Sequence, residues 1–262
     1  MFAQWLLLSV VGILTGALTG FSGGSAFVIV VPFLTQVWHT PVRMAVGSSL
    51  AVDVLTSIMV AVGYARNRAV DLGNAWPLLG GAILGPQLGA MLSHVLPTWW
   101  LTAIFVVALL FMGVNFLQHG WRNIPLMPEP GAQGQKERPT RRGGQALGVL
   151  AAGLAVGTVT GLIGASGGVL YLLVLIYGLG MPLRTAVGTA IVIMAVSAAS
   201  GVGAYVWRSE IAWGPAVLLG GVSMISGYTM ARFVQKVPER VQAGIMGGIL
   251  IVAALWMAPK IF

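Results

Sequence analysis

Gly16-Ala17-Leu18-Thr19-Gly20-Phe21-Ser22-Gly23-Gly24-Ser25, followed by Pro41-Val42-Arg43-Met44-Ala45-Val46-Gly47, decides the architecture because the chain says it twice. Gly157, Gly161, Gly164 and Ser166 recur at the spacing of Gly16, Gly20, Gly23 and Ser25, and Pro182-Leu183-Arg184-Thr185-Ala186-Val187-Gly188 answers the second motif. The offset is 141 residues throughout, and it holds through Tyr64 and Tyr205, Gly73 and Gly214, Gly80 and Gly221, and Pro97 and Pro238. A duplicated apolar unit that gathers glycines, hydroxyls and one arginine in a single segment per copy is how many membrane carriers build a site between two repeats.

Composition points the same way. With 57% hydrophobic and 8% charged residues, a chain of 262 residues is too apolar to be covered by water, so we expect an all-α, polytopic transmembrane bundle. The net charge of +8 does not suggest nucleic acid, because the cations fall between apolar runs and not on a stripe interleaved with aromatics; orientation in a membrane accounts for them better. There is no cysteine, and only six carboxylates and three histidines are available for acid, base or ligand roles. His39, His94 and His119 lack metal-ligand spacing, and no cluster pairs a nucleophile with a base, so the reading is no enzyme, no cofactor and no metal. Met1 to Gln4 lack the positive charge of a cleavable leader, and the amino terminus is expected to belong to the fold.

Charge and proline divide the chain into apolar segments at 4–38, 42–65, 73–95, 98–118, 145–180, 183–207, 213–234 and 239–258. Most are near the roughly 20 residues that a helix needs to cross lipid. The runs 4–38 and 145–180 are too long for one crossing and carry their glycine-serine clusters near the middle, so each is expected to be a broken helix or a hairpin. Eight to ten membrane segments follow. Residues 1–118 form the first repeat, 119–144 a solvated cytoplasmic linker and 145–262 the second repeat. Single crossings would make the repeats parallel; hairpins would make them inverted. Inversion is favoured because it gathers Arg66, Arg68, the linker cations, Arg184, Arg232, Lys236 and Arg240 on one side, in keeping with the positive-inside rule.

The clusters Ser22-Gly23-Gly24-Ser25 and Gly164-Ala165-Ser166-Gly167 are the first candidates for substrate binding, since unwound backbone inside a membrane offers free amides and hydroxyls to a small oxyanion. The Gly-x-x-x-Gly pairs ahead of them read equally as close helix packing. Arg43 and Arg184 sit in the first turn of their helices, where the dipole disfavours a cation, and Ser48, Ser49 and Thr189 follow about one turn deeper. The arginines read either as anion-attracting residues or as snorkelling interface residues. Asp53 is the one carboxylate well inside an apolar run and is a candidate for proton coupling; Met194 stands at the matching position. Tyr64, Tyr205 and the tryptophans read as interfacial anchors, and Gln87 as interhelical glue.

These residues resemble the sulfite exporter TauE/SafE family of membrane transporters, above all Ala45-Val46-Gly47-Ser48-Ser49-Leu50 with its weaker echo Ala186-Val187-Gly188-Thr189-Ala190-Ile191. The resemblance covers the chain outside 119–144. It implies transport of sulfite or an organosulfonate across the bacterial inner membrane. The resulting expectation is a secondary transporter working by alternating access, with a passive anion channel or facilitator as the alternative. Its expected partners are the small anion, membrane lipid and protons as coupling ion, with no nucleic acid.

Overall fold

The structure, a computed structural model, describes residues 2–22, 25–66, 70–122, 143–233 and 239–260, all-helical with no strand among them. In chain order the helices are α1 Phe2–Ser22, α2 Phe27–Gln36, α3 Val42–Arg66, α4 Leu72–Val95, α5 Thr98–Arg122, α6 Gly143–Ile163, α7 Gly168–Leu173, α8 Leu183–Val206, α9 Trp213–Phe233 and α10 Glu239–Met257. Among the described residues, five stretches, Val42–Ala61, Leu72–Val95, Thr98–Gln118, Ala146–Ile163 and Thr185–Val206, are long and apolar enough to cross a membrane. Helices α5 and α6 take up the two ends of the expected linker; residues 123–142 lie outside the described residues.

Both long apolar runs are broken where glycine and serine cluster. The first stops at Ser22 and resumes at Phe27; the second stops at Ile163 and resumes at Gly168. In the second break Gly164 and Gly167 take φ of +77° and +68°, the left-handed region that a side chain disfavours, and this turns the backbone out of the helix. Proline opens the next helix: Pro182 is extended (φ −62°, ψ 142°) and releases the chain into α8. Asp71 caps α4 by accepting the Asn74 N–H at 3.2 Å.

Contacts give the directions. Gly47 of α3 lies against Tyr205 of α8, and Leu50 against Gly201, so α3 and α8 run antiparallel. Gly113 against Leu250 and Leu117 against Gly247 make α5 and α10 antiparallel as well. Helix α6 runs parallel to α4 along a seam of small residues, Gly81, Gly85 and Gly89 facing Gly153, Gly157 and Gly161. Helix α1 packs on α9 in the same sense, with Gly12 against Val222 and Gly16 against Ser223. The Gly-x-x-x-Gly spacing therefore serves close backbone approach on α6, where Gly157 and Gly161 meet Pro86.

Polarity is distributed for lipid. Thr15, Ser25, Ser48, Ser49, Asp53, Ser93, Ser166 and Ser197 are buried, while Trp5, Trp76, Trp99, Phe111, Trp207 and Ile225 stand on the outside. Tyr205 departs from its expected place in the aromatic belt. It has no exposed surface, and its hydroxyl donates to the Gly161 carbonyl at 2.7 Å, tying α8 to α6.

A Cβ at Gly161 would stand 2.1 Å from the Pro86 carbonyl oxygen, whereas one at Gly148 would meet nothing within 4 Å. Gly161→Val should therefore cost about 2–3 kcal/mol or more through overpacking, and Gly148→Ala should be neutral or stabilising by up to about 1 kcal/mol. Thermal unfolding of the two variants in detergent checks the contrast.

Candidate functional site

Asp53 lies 11 residues into α3, a helix of 25 residues, which places it near mid-length, about 17 Å from the helix start at 1.5 Å per residue. Its side chain is fully buried. One carboxylate oxygen, Oδ1, accepts the Ala26 N–H at 2.7 Å, and Oδ2 accepts a short hydrogen bond from Ser25 Oγ. The Ser25 hydroxyl in turn accepts the Ser166 N–H at 3.1 Å. The two breaks thus touch directly, through the pair of serines that sequence places 141 residues apart. The Ser166 amide and hydroxyl also face the Asp53 carboxylate, yet that hydroxyl has no partner in hydrogen-bond geometry. No cation among the described residues stands against Asp53.

The reason for this arrangement is local. Residues 25 and 26 precede the first turn of α2, where the amides have no carbonyl four residues back to bond. Inside a membrane, water is not there to serve them, so a side chain must. Asp53 and Ser25 supply the acceptors in the first break. In the second, Gly164 donates to the Thr160 carbonyl at 2.9 Å and accepts from Ser49 Oγ at 3.1 Å. Ser25 is 8% exposed, while Asp53, Ser49 and Ser166 are 0%, so the cluster is closed to solvent. The Asp53 carboxylate itself takes up donors that the sequence reading offers to an anion. A groove bounded by Trp5, Trp213, Val217 and Leu218 lies elsewhere, on the outer face between α1 and α9.

Ser25, Ser49, Asp53, Gly164 and Ser166 are therefore gathered at one place, with Gly167 on its flank against Thr160. Ser48 and Thr189 are not part of it. Ser48 Oγ accepts the Ala212 N–H at 2.9 Å, and Thr189 Oγ1 accepts the Asp71 N–H at 2.9 Å. The two bonds are reciprocal, since Ser48 and Thr189 correspond at the 141-residue offset and so do Asp71 and Ala212. Each hydroxyl pins the start of the other half's following helix. Gly23 and Gly24 lie outside the described residues, as do the side chains of Ser22, Tyr64 and Arg184.

Arg43 stands ten residues before Asp53 on α3, about 15 Å along the axis, at the helix mouth. Its guanidinium donates to the carbonyls of Ser93 and Leu96, both at 2.9 Å. These carbonyls end α4, where the helix dipole is negative, so α4 offsets the dipole penalty that α3 imposes. Near it His94 Nε2 is 3.0 Å from Glu210 Oε2, close enough to pair although off the hydrogen-bond line. Arg43 and Arg208 both act on His94 electrostatically, so four charged or titratable groups share this end. Sequence reading passed over Glu210 and gave His94 no partner, because His94 sits in the last turn of α4 and Glu210 in the α8–α9 turn; only the packing of α4 against that turn joins them. Gln87 donates to the Ser200 carbonyl at 2.7 Å and does act between helices.

A helical membrane protein with two interrupted helices meeting around a buried carboxylate is the class this geometry defines. Residues 8–257 match the family described as Sulfite exporter TauE/SafE, and the chain belongs to that family. It is similar to the probable membrane transporter protein YdhB of Bacillus subtilis, 24% identical over 98% of this chain and 97% of that protein. YunE of the same organism, also described as a probable membrane transporter protein, is 22% identical over 95% of both chains. A probable membrane transporter protein of Xylella fastidiosa is 36% identical over 32% of this chain and 33% of its own length. No solved structure matches.

Arg43→Ala should lower stability by about 2–4 kcal/mol, because two carbonyls lose a charged donor. Arg43→Lys should recover part of that loss. Unfolding of both variants in the absence of any anion isolates this structural share.

Proposed function

We propose that this membrane transporter is a secondary carrier for a small anion of the sulfite or organosulfonate class, working by alternating access in the bacterial inner membrane. The observation that carries the reading is the direct contact of the two helix breaks, Ser166 N–H to Ser25 Oγ, beside a fully buried carboxylate. Interrupted helices at mid-depth are where secondary carriers hold substrate and coupling ion. The family description, sulfite exporter, supports the anion class. The substrate site comprises the two breaks, Ser22 to Ser25 and Gly164 to Gly167, with Ser49 beside them; Asp53 carries the coupling proton. Arg43 and Arg184 attract the anion at the two mouths, and the cluster is sealed from both sides in this conformation.

The two halves are inverted repeats in this reading. Supporting it are the antiparallel course of the corresponding helices α3 and α8, that of α5 and α10, and the reciprocal Ser48 and Thr189 bonds. The end of the bundle that carries Arg66, Arg184, Arg232 and Arg240 then faces the cytoplasm, and the Arg43, His94 and Glu210 end faces the periplasm.

Reconstituted into liposomes, the protein should accumulate sulfite or sulfoacetate above equilibrium when a pH gradient is imposed. Ser25→Ala, which removes a donor to Asp53 and an acceptor for Ser166, should cut the rate at least about tenfold, the weight of one or two hydrogen bonds. Flux that only dissipates the anion gradient would mark a channel instead. Since the native chain has no cysteine, single substitutions report sidedness. In intact cells Ser209→Cys should react with an impermeant maleimide and Thr140→Cys should not; labelling of both from outside would remove the inverted topology.

A further inference from the structure

Resting on the anion-carrier reading, we infer that the Asp53 carboxylate and the transported anion use the same donors in turn, so that Asp53 is an internal surrogate for the substrate and leaves only as a neutral acid.

Four hydroxyl and amide groups face the Asp53 carboxylate. Ser25 Oγ and the Ala26 N–H donate to it, and Ser166 turns both its amide and its unpartnered hydroxyl towards it from the other break. Ala26 leads into α2, a helix of 10 residues, and Ser166 is 0% exposed. This is a set of hydroxyl and amide donors built around one negative charge, with no cation among the described residues to balance a second. An oxyanion seated between the breaks needs Ser25 and Ser166. It therefore needs the hydroxyl that the carboxylate now holds.

Two anions cannot share such a place. Like charges in contact, away from water, drive one of them to neutralise, as in paired carboxylates. A proton from solution on Asp53 gives the neutral acid, which no longer requires several donors and can turn its O–H to a backbone carbonyl. The anion then takes the released donors, and the buried site carries a single negative charge before and after exchange. One proton accompanies each anion, with no bond broken other than hydrogen bonds. Coupling follows without a separate relay: an anion enters only when Asp53 is protonated, and loss of the proton returns the carboxylate to its donors and expels the anion. The same competition explains why the breaks are closed on themselves, since the surrogate completes the fold that the substrate would otherwise complete.

The test measures binding of methanesulfonate, whose charge is constant over the working range, to purified full-length protein in sodium-free buffers of rising pH, with proton uptake recorded in weak buffer. Wild type should lose affinity by about tenfold per pH unit once Asp53 is ionised, because only the protonated fraction is competent, and should take up one proton per anion bound. Asp53→Asn should bind at least as tightly as wild type at low pH, independently of pH, with no proton taken up. Binding by wild type that is flat with pH and releases or absorbs no proton overturns the inference while leaving the carrier reading intact. A folded Asp53→Asn that binds tenfold more weakly does the same, since Asp53 would then assist the anion. Should Asp53→Asn not fold, proton uptake by wild type decides alone. Absence of binding by methanesulfonate, sulfite and sulfoacetate at every pH removes the carrier reading, and the inference with it.

Discussion

Unwound backbone in an apolar slab has to find its hydrogen-bond partners within the protein, and most of what is distinctive in this structure answers that demand. The first break leaves the Ala26 amide to Asp53, and the second leaves the Ser166 amide to Ser25 and the Gly164 carbonyl to Ser49. Each bond joins different helices. Helices α2 and α3 and the α6–α7 break are held to one another at the same spot because each needs what another offers. A tenfold change in any equilibrium here corresponds to about 1.4 kcal/mol, so one or two such bonds suffice to decide which conformation holds.

The rest of the bundle keeps that spot in register. Glycine seams let α6 approach α4 and let α1 approach α9 closely enough for backbone to touch backbone. Ser48 and Thr189 bind the amides of Ala212 and Asp71 and so lock the loop before α9 to α3 and the loop before α4 to α8. Arg43 holds the end of α4, and Tyr205 holds α6 to α8. Hydroxyls and the Asp53 carboxylate are buried in the interior, and much of the outer surface is left to tryptophan, leucine, valine and isoleucine.

Much of this was legible beforehand. The positions of both breaks, the proline-led starts of α3 and α8, the special standing of Asp53 and the value of the 141-residue offset follow from local chemistry: glycine permits left-handed backbone, proline opens helices, and an isolated carboxylate in an apolar run demands partners. Roles were harder. Ser48 and Thr189 looked like donors to a substrate because they follow the arginine motif, but spacing along a helix does not say which neighbour its faces meet. Tyr205 looked like an interfacial anchor because it ends a helix, yet α8 leans against α6 and buries it.

The chain by itself determined a helical membrane protein whose two long apolar runs are interrupted at their glycine-serine clusters, since composition, period and backbone propensity act over a few residues at a time. Only the tertiary structure decided that Ser25 meets Ser166, that Asp53 accepts from Ser25 and Ala26 beside that contact, and that Arg43 is bound to α4 carbonyls. Those outcomes depend on which helices pack and in which direction. Pairings between residues 28 and 141 positions apart are set by the geometry of the whole bundle and not by any local preference.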